Sequence, residues 1–262
     1  MLQVYTKNEL IEKLNNVRNM GWIENTRRGN HGSVGNVLED ILEIPENNLA
    51  VANSGEWELK ARRRKSSALI TLLHSEPSPR NARLVPSLLL PCYGWPHQKA
   101  GTEHPDTEMS FRQTINCKSY SDRGFIVRIN NDEGKIEVSF NASEVQGHHH
   151  AWLDSVLKRV GHSGELNPVP YWGFRDLAAR LGAKLLNCFF VSADVKHENK
   201  KEYYKYDEIL MLETFSMDGF LKALQDGYVY VDFDARTGHN HGTKFRVRGA
   251  NIPLLYEKVR SI

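Results

Sequence analysis

Glu58 and Lys60 stand two residues apart in the segment Asn53-Ser54-Gly55-Glu56-Trp57-Glu58-Leu59-Lys60. In an extended strand, residues i and i+2 project from the same face, so this carboxylate and ammonium group would enter one pocket. A carboxylate oxygen suits a hard divalent cation such as Mg²⁺. A lysine beside it can orient or deprotonate an attacking water and offset the charge of a phosphate. With a further acid from a nearby helix, the pair becomes a site for phosphodiester cleavage, where a metal makes the nucleophile and stabilises the transition state. Glu39 is the acid at hand, in the helical stretch 37–44.

A Glu-x-Lys triplet alone is weak, because half-exposed strands carry such pairs by chance. Three neighbours favour the chemical reading. A glycine-rich stretch (25–35) and its helix come before the triplet, the apolar run 67–74 comes after it, and Arg62-Arg63-Arg64-Lys65 follows it directly. Strand alternation puts Arg62 and Arg64 on the Glu58/Lys60 face, where they can reach phosphate, and Arg63 outside.

The elements that must position these groups are mixed α and β. Leu10, Ile11, Leu14 and Val17 recur at helical spacing over 7–20. Residues 37–44 read as a second helix stopped by Pro45, 50–63 as a hairpin or strand pair turning near Ser54-Gly55, and 67–74 as a buried strand. Two alternating segments, 124–130 and 135–141, flank Asn131-Asp132-Glu133-Gly134 and predict a β-hairpin. Helices are expected at 151–160, 173–185 and 216–227, strands at 185–195 and 206–215, and a last hairpin from 228–236 and 243–249 around 237–242. The chain divides on this reading into 1–85, 86–150 as a β-rich insert, and 151–262.

A chain of 262 residues fits one large domain or two lobes. The net charge of +2 neither demands nor excludes nucleic acid, so clustering decides, and basic clusters stand at 62–65 and 244–248. Cys92, Cys117 and Cys188 are odd in number, far apart and without a CxxC pair, which predicts no disulfide framework and a reducing cytoplasm. The first 17 residues are interrupted by charges and read as an amphipathic helix, not a signal peptide. No apolar run approaches the ~20 residues that cross a bilayer.

The segments 32–48, 52–63 and 67–80 resemble the MvaI/BcnI group of type II restriction endonucleases, within the PD…(D/E)xK nuclease superfamily, and more distantly the mismatch-repair nicking enzyme MutH. Further likeness runs through 171–194, 215–236 and 242–249, and 86–145 matches least. The resemblance implies an α/β (α+β) nuclease core with a mixed sheet flanked by helices, and two lobes forming a DNA-binding cleft. Glu39 would be the helix carboxylate near the metal, Glu58 the metal-ligating acid and Lys60 the catalytic lysine, with Mg²⁺, or Mn²⁺ as a substitute. The remaining metal-ligating aspartate would fall at Asn53. An amide oxygen can ligate a metal but brings no charge to attract it. Weaker metal binding with retained activity, replacement by Glu56, a dead enzyme, or a substitution made to trap uncut DNA would each follow from that asparagine.

The resemblance also implies a monomer that nicks the two strands of double-stranded DNA in turn at a short pseudopalindrome of the CC-N-GG sort. A cognate methyltransferase would belong to the same system without being a bound subunit. Base reading needs contacts beyond phosphate, and Asp234, Arg236, His239, His241, Lys244 and Arg246 suit it: arginine pairs with guanine O6 and N7, aspartate accepts from cytosine N4. His239-x-His241 has no cysteine or third histidine at ligand spacing, which argues against zinc. His74, ending the strand after the Glu-x-Lys segment, is a base or phosphate contact or a core histidine. His148-His149-His150 reads as a solvated loop, with metal binding the lesser alternative, and Tyr93, Trp95, Tyr171 and Trp172 as core or lobe interface. A strand-nicking repair enzyme and a nuclease-fold module that binds DNA without cutting are the rival readings.

Overall fold

The computed structural model describes residues 5–27, 32–44, 55–161 and 166–262. In chain order it has helix α1 (Lys7–Asn19), strand β1 (Ile23–Glu24), helix α2 (Ser33–Ile41) and strands β2 (Trp57–Arg63) and β3 (Leu69–His74). A short helix α3 (Leu90–Tyr93) and strands β4 (Trp95–Pro96), β5 (Met109–Ile115), β6 (Arg123–Asn130) and β7 (Lys135–Val145) follow. Then come α4 (His150–Val160), β8 (Tyr171–Gly173), α5 (Phe174–Leu185), β9 (Asn187–Glu198) and β10 (Lys201–Phe215). The chain ends with α6 (Met217–Gln225), β11 (Val229–Arg236), β12 (His239–Asn240), β13 (Lys244–Arg248) and β14 (Tyr256–Ser261).

The first compact unit draws on 1–70, 179–219 and 248–262. Its sheet runs β2-β9-β10-β1, with β14 also paired to β10. β2 lies parallel to β9, and every other pairing is antiparallel. β9 and β10 form one long hairpin whose tip, Asn199-Lys200, has positive φ at both residues, as a tight hairpin turn requires. Period-2 alternation sorts β2: Trp57, Leu59 and Ala61 join a core with Phe189, Val191 and Ala193 of β9, Tyr204 and Tyr206 of β10, Leu10 and Leu14 of α1, and Val34, Val37 and Leu38 of α2. Glu58, Lys60 and Arg62 therefore take the opposite face.

α2 is fastened by polar groups at both ends. The Tyr206 hydroxyl donates to the Val34 carbonyl at 2.8 Å, and the Tyr5 hydroxyl to the Leu42 carbonyl at 2.8 Å. Ser33 Oγ and the Tyr204 hydroxyl stand 2.6 Å apart. Arg63, expected outside, is here: its Nη2 donates to Glu202 at 2.9 Å and to the Tyr204 hydroxyl at 3.1 Å. It lies on the face away from Glu58, as alternation requires, but a helix covers that face. α2 begins four residues earlier than the periodicity suggested, and the expected partner strand before Ser54 falls outside the described residues.

The second unit comprises 71–178 and 220–247. A six-stranded sheet runs β3-β13-β11-β5-β4, with β12 beside β11, and β6-β7-β8 form a second sheet. The hairpin expected around Asn131–Gly134 is present, with Asn130 opposite Lys135. Edge-to-face rings fill the interior: Phe111 stands 5.4 Å from both Phe125 and Phe233, and Tyr93 5.1 Å from Phe140. Tyr93 and Trp172 are thus core residues, and much of this aromatic packing comes from the stretch 86–145 that matches the family least.

Leu38 is fully buried between α2 and the sheet. Leu38→Ala should lower the unfolding free energy by about 2–5 kcal/mol, measured by urea denaturation; a loss under half that would mean α2 does not seal this core.

Candidate active site and DNA-reading face

Glu58 is the most buried acid of the first unit's sheet, with 3% of its side chain exposed. Lys60 Nζ donates to its Oε1 at 2.9 Å, as the shared strand face predicts. Lys184, one residue before the end of α5, brings a second ammonium group to 3.7 Å from the same oxygen. Neither composition nor local pattern singled out Lys184. Only the parallel pairing of β2 with β9, which sets Glu58 opposite Cys188, carries the end of α5 to this place. The thiol of Cys188 is pushed up to about 12, first by burial, and the phenol of Tyr256, hydrogen-bonded to it, is raised well above its usual value by burial as well.

The two lysines differ in their proton affinity. Burial works to lower the pKa of Lys60, but the charge of Glu58 and its hydrogen bond, with a contribution from Glu39, outweigh it and the pKa is raised. For Lys184 burial prevails, the like charge of Lys60 adds to it, and the pKa is lowered. Glu39, on α2, is thus near enough to act electrostatically on both lysines. Of the remaining residues expected at this site, Glu56 is exposed in the turn before β2, and Asn53 lies outside the described residues.

Glu58 Oε2 is buried and has no hydrogen-bond partner among the described residues. A buried carboxylate oxygen left unsatisfied is costly unless something positive meets it. An anionic oxygen donor of this kind fits a hard divalent cation, so the residues present suit the metal that the site's chemistry calls for.

The arginines after Lys60 are each engaged by protein groups. Arg62 Nε donates to Ser192 at 3.1 Å and its guanidinium lies over Phe190, with Gly249 so close that a Cβ there would meet Arg62 Cδ at 2.5 Å. Arg64 is shared among Asp194, Asp207 and Glu208, so a phosphate would have to displace a carboxylate.

In the second unit, β11 sits between β13 and β5. Its Val229, Val231, Phe233 and Ala235 are buried, so Asp232, Asp234 and Arg236 share the other face. There Asp234 pairs with Arg112 of β5 at 2.7 Å and with Lys244 of β13 at 3.6 Å. Asp232 pairs with Arg246 at 3.1 Å and accepts from Thr114 at 2.8 Å, while Arg236 pairs with the buried Glu108 at 2.7 Å. Burial opposes ionisation of Asp234, but the Arg112 hydrogen bond and the charges of Arg112 and Lys244 hold its carboxyl below the usual range. The sequence reading missed Arg112 and Glu108; cross-strand register, Asp234 opposite Arg112, was the signal that could have found the first. A Cβ at Gly242, whose φ is +84°, would lie 3.5 Å from His74 Nδ1 and 3.6 Å from Glu76 Oε1, and Glu76 accepts the Thr243 N–H at 2.8 Å. The structure therefore gathers His74, Asp234, Arg236, Lys244 and Arg246 around one sheet and its loop, with His239 and His241 exposed beside them.

This architecture is shared with solved structures. Restriction endonuclease MvaI in complex with its cognate DNA substrate is 23% identical, with a TM-score of 0.76 over 98% of this chain and 99% of that one. Restriction endonuclease MvaI in the absence of DNA is 21% identical, with a TM-score of 0.54 over 99% of both chains. No curated protein matches the chain in sequence. The fold is thus that of a restriction endonuclease. The model of the MvaI/BcnI restriction endonuclease family matches residues 11–256, and the chain belongs to that family: it is a sequence-specific type II restriction endonuclease.

Glu58→Gln would remove the carboxylate that stands closest to both Lys60 and Lys184. A destabilisation on the order of 3 kcal/mol is expected in urea unfolding, partly relieved by adding Lys184→Met; an unchanged midpoint for the single variant would contradict the ion-pair geometry.

Proposed function

We propose that the chain cleaves double-stranded DNA in a Mg²⁺-dependent reaction centred on Glu58. The observation that carries this reading is the buried Glu58 carboxylate, with one oxygen held by Lys60 and the other without a donor among the described residues. Glu58 and Asn53 would hold the cation, with Mn²⁺ a possible substitute and Glu39 contributing its charge nearby. When bound, such a cation polarises a water and neutralises charge building on the phosphate. Lys60, with its raised pKa, stays protonated, holds Glu58 in place and offers a positive donor toward the scissile phosphate. Lys184, whose pKa burial lowers, gives up its proton more readily than Lys60 and brings a second amine to the same carboxylate. Arg62 and Arg64 would meet the backbone after exchanging their present partners.

Base reading would fall to the β11–β13 face: Asp234 accepting from cytosine N4, Arg236 and Arg246 donating to guanine, and Lys244, His74, His239 and His241 supporting them. This mixture of arginine and aspartate suits a short G·C-rich pseudopalindrome of the CC-N-GG sort, cut by a cytoplasmic monomer one strand at a time. A cognate methyltransferase would protect the host's own copies of the target without being a bound subunit. Asn53 motivates a second reading, a module that binds DNA without cutting.

Supercoiled plasmid with Mg²⁺ separates these. Discrete linear bands support the restriction reading, nicked circles alone a repair-type nicking enzyme, and binding without cleavage the inactive module, in which case Asn53→Asp is the variant to restore cutting. Lys60→Ala should slow cleavage by at least about 100-fold with DNA affinity changed only a few-fold; equal cleavage would remove Lys60 from the site. Arg236→Ala should weaken cognate binding by about 1–3 kcal/mol and relax preference at one base pair, read from competition with single-substituted duplexes.

A further inference from the structure

Among the described residues, one group of three His, Cys, Asp or Glu side chains brings its ligand atoms within 4.8 Å of one another: Asp122, His148 and His149. All three belong to the second unit, and none of them is used in the DNA chemistry above. Asp122 immediately precedes β6. His148 and His149 form the helical turn Gly147–His149 between β7 and α4. His149 Nε2 lies 2.8 Å from Asp122 Oδ2, and the two imidazole rings are 4.0 Å apart. His149 is largely buried, with 15% of its side chain exposed, while His148 is exposed.

The backbone already sets this geometry. Arg123 and Val145 face each other at the open end of the β6–β7 hairpin. Just beyond them the Gln146 N–H donates to the Asp122 carbonyl at 2.9 Å, and the His149 N–H to the Gln146 carbonyl at 2.8 Å. Both sides of the ligand group are therefore fixed by main-chain bonds before any ion arrives. Tetrahedral coordination at ~2.0–2.1 Å to nitrogen and oxygen needs ligand atoms a little over 3 Å apart, a spacing within the range present, reached by small side-chain rotations.

The donor set selects the ion. Two imidazoles and one carboxylate suit zinc, nickel or copper, whereas Mg²⁺ and Ca²⁺ require oxygen. Arg123 sharpens the choice: its Nη1 stands 3.7 Å from Asp122 Oδ2, and its guanidinium lies over Trp95 at 4.0 Å. An ion held mainly by charge would be repelled there, so the strength of the imidazole bonds must carry the binding. We propose that Asp122, His148 and His149 form a binding site for a divalent transition metal of the zinc class, which clamps the start of β6 to the turn before α4. Binding displaces the His149–Asp122 hydrogen bond, and solvent completes the coordination.

The test uses the full untagged chain, stripped with EDTA, exchanged into excess Mg²⁺ and titrated calorimetrically with ZnCl₂. One equivalent should bind, and the melting temperature should rise with Zn²⁺ concentration. His148→Ala should weaken this binding at least about tenfold and abolish the rise. Because His148 is exposed, its melting temperature in EDTA and its Mg²⁺-dependent plasmid cleavage should match the parent's. Asp122→Asn should weaken binding similarly, and His239→Ala should leave it unchanged. No saturable Zn²⁺ binding by the parent, equal binding by His148→Ala, or loss in His239→Ala instead would overturn the assignment and leave His149–Asp122 as a structural hydrogen bond alone.

Discussion

A carboxylate that is nearly sealed from water, with two ammonium groups beside one oxygen and no hydrogen-bond partner for the other among the described residues, is the interaction on which the first unit depends. Removing an ion of this size from water costs several kcal/mol even after relaxation, and one good pair seldom recovers it. Glu58 therefore has to be held by structure formed for other reasons. The other face of the same strand supplies it. Trp57, Leu59 and Ala61 enter an apolar core with β9, β10, α1 and α2, and the backbone fixed by that core leaves Glu58 no alternative direction. Strain of this sort, a polar group held short of its full complement, is characteristic of sites that receive a ligand.

The second unit repeats the device with a different purpose. β11 gives its odd-numbered residues to an aromatic interior and its even-numbered residues to a charged face. The neighbouring strands answer residue by residue, Arg112 and Lys244 to Asp234, Arg246 and Thr114 to Asp232. Long side chains that would otherwise sample many rotamers are held upright in register by their cross-strand partners. The rigidity of this charged face comes from the sheet and not from the loop at its end.

Local pattern made some of this legible. The Glu58/Lys60 pair follows from period-2 alternation, the hairpin at 131–134 from its turn residues, and the charged face of β11 from its even positions. What stayed hidden depends on pairing between segments distant in the chain. Lys184 reaches Glu58 from 126 residues away because β9 lies parallel to β2, and nothing near Lys184 announces that. Arg63 shows the converse failure. Alternation gave its side correctly, yet only the tertiary structure reveals that α2, with Ser33, and β10, with Glu202 and Tyr204, turn that side into a polar interior. The arginine cluster looked like phosphate-binding surface because sequence shows the cations and not the three acids gathered around Arg64.

Those carboxylates bear on how association should respond to ionic strength. A cation that meets DNA directly neutralises a phosphate and sets condensed counterions free, which steepens the salt dependence of binding. Arg64, Arg112, Arg236, Lys244 and Arg246 each already neutralise a protein carboxylate. If one of them turns to a phosphate while its former partner stays close, little net charge is brought to the duplex, and fewer ions are released than the number of basic contacts suggests. On the proposed reading of this face, its acids would act as a built-in counterion atmosphere, moderating indiscriminate attraction to any polyanion.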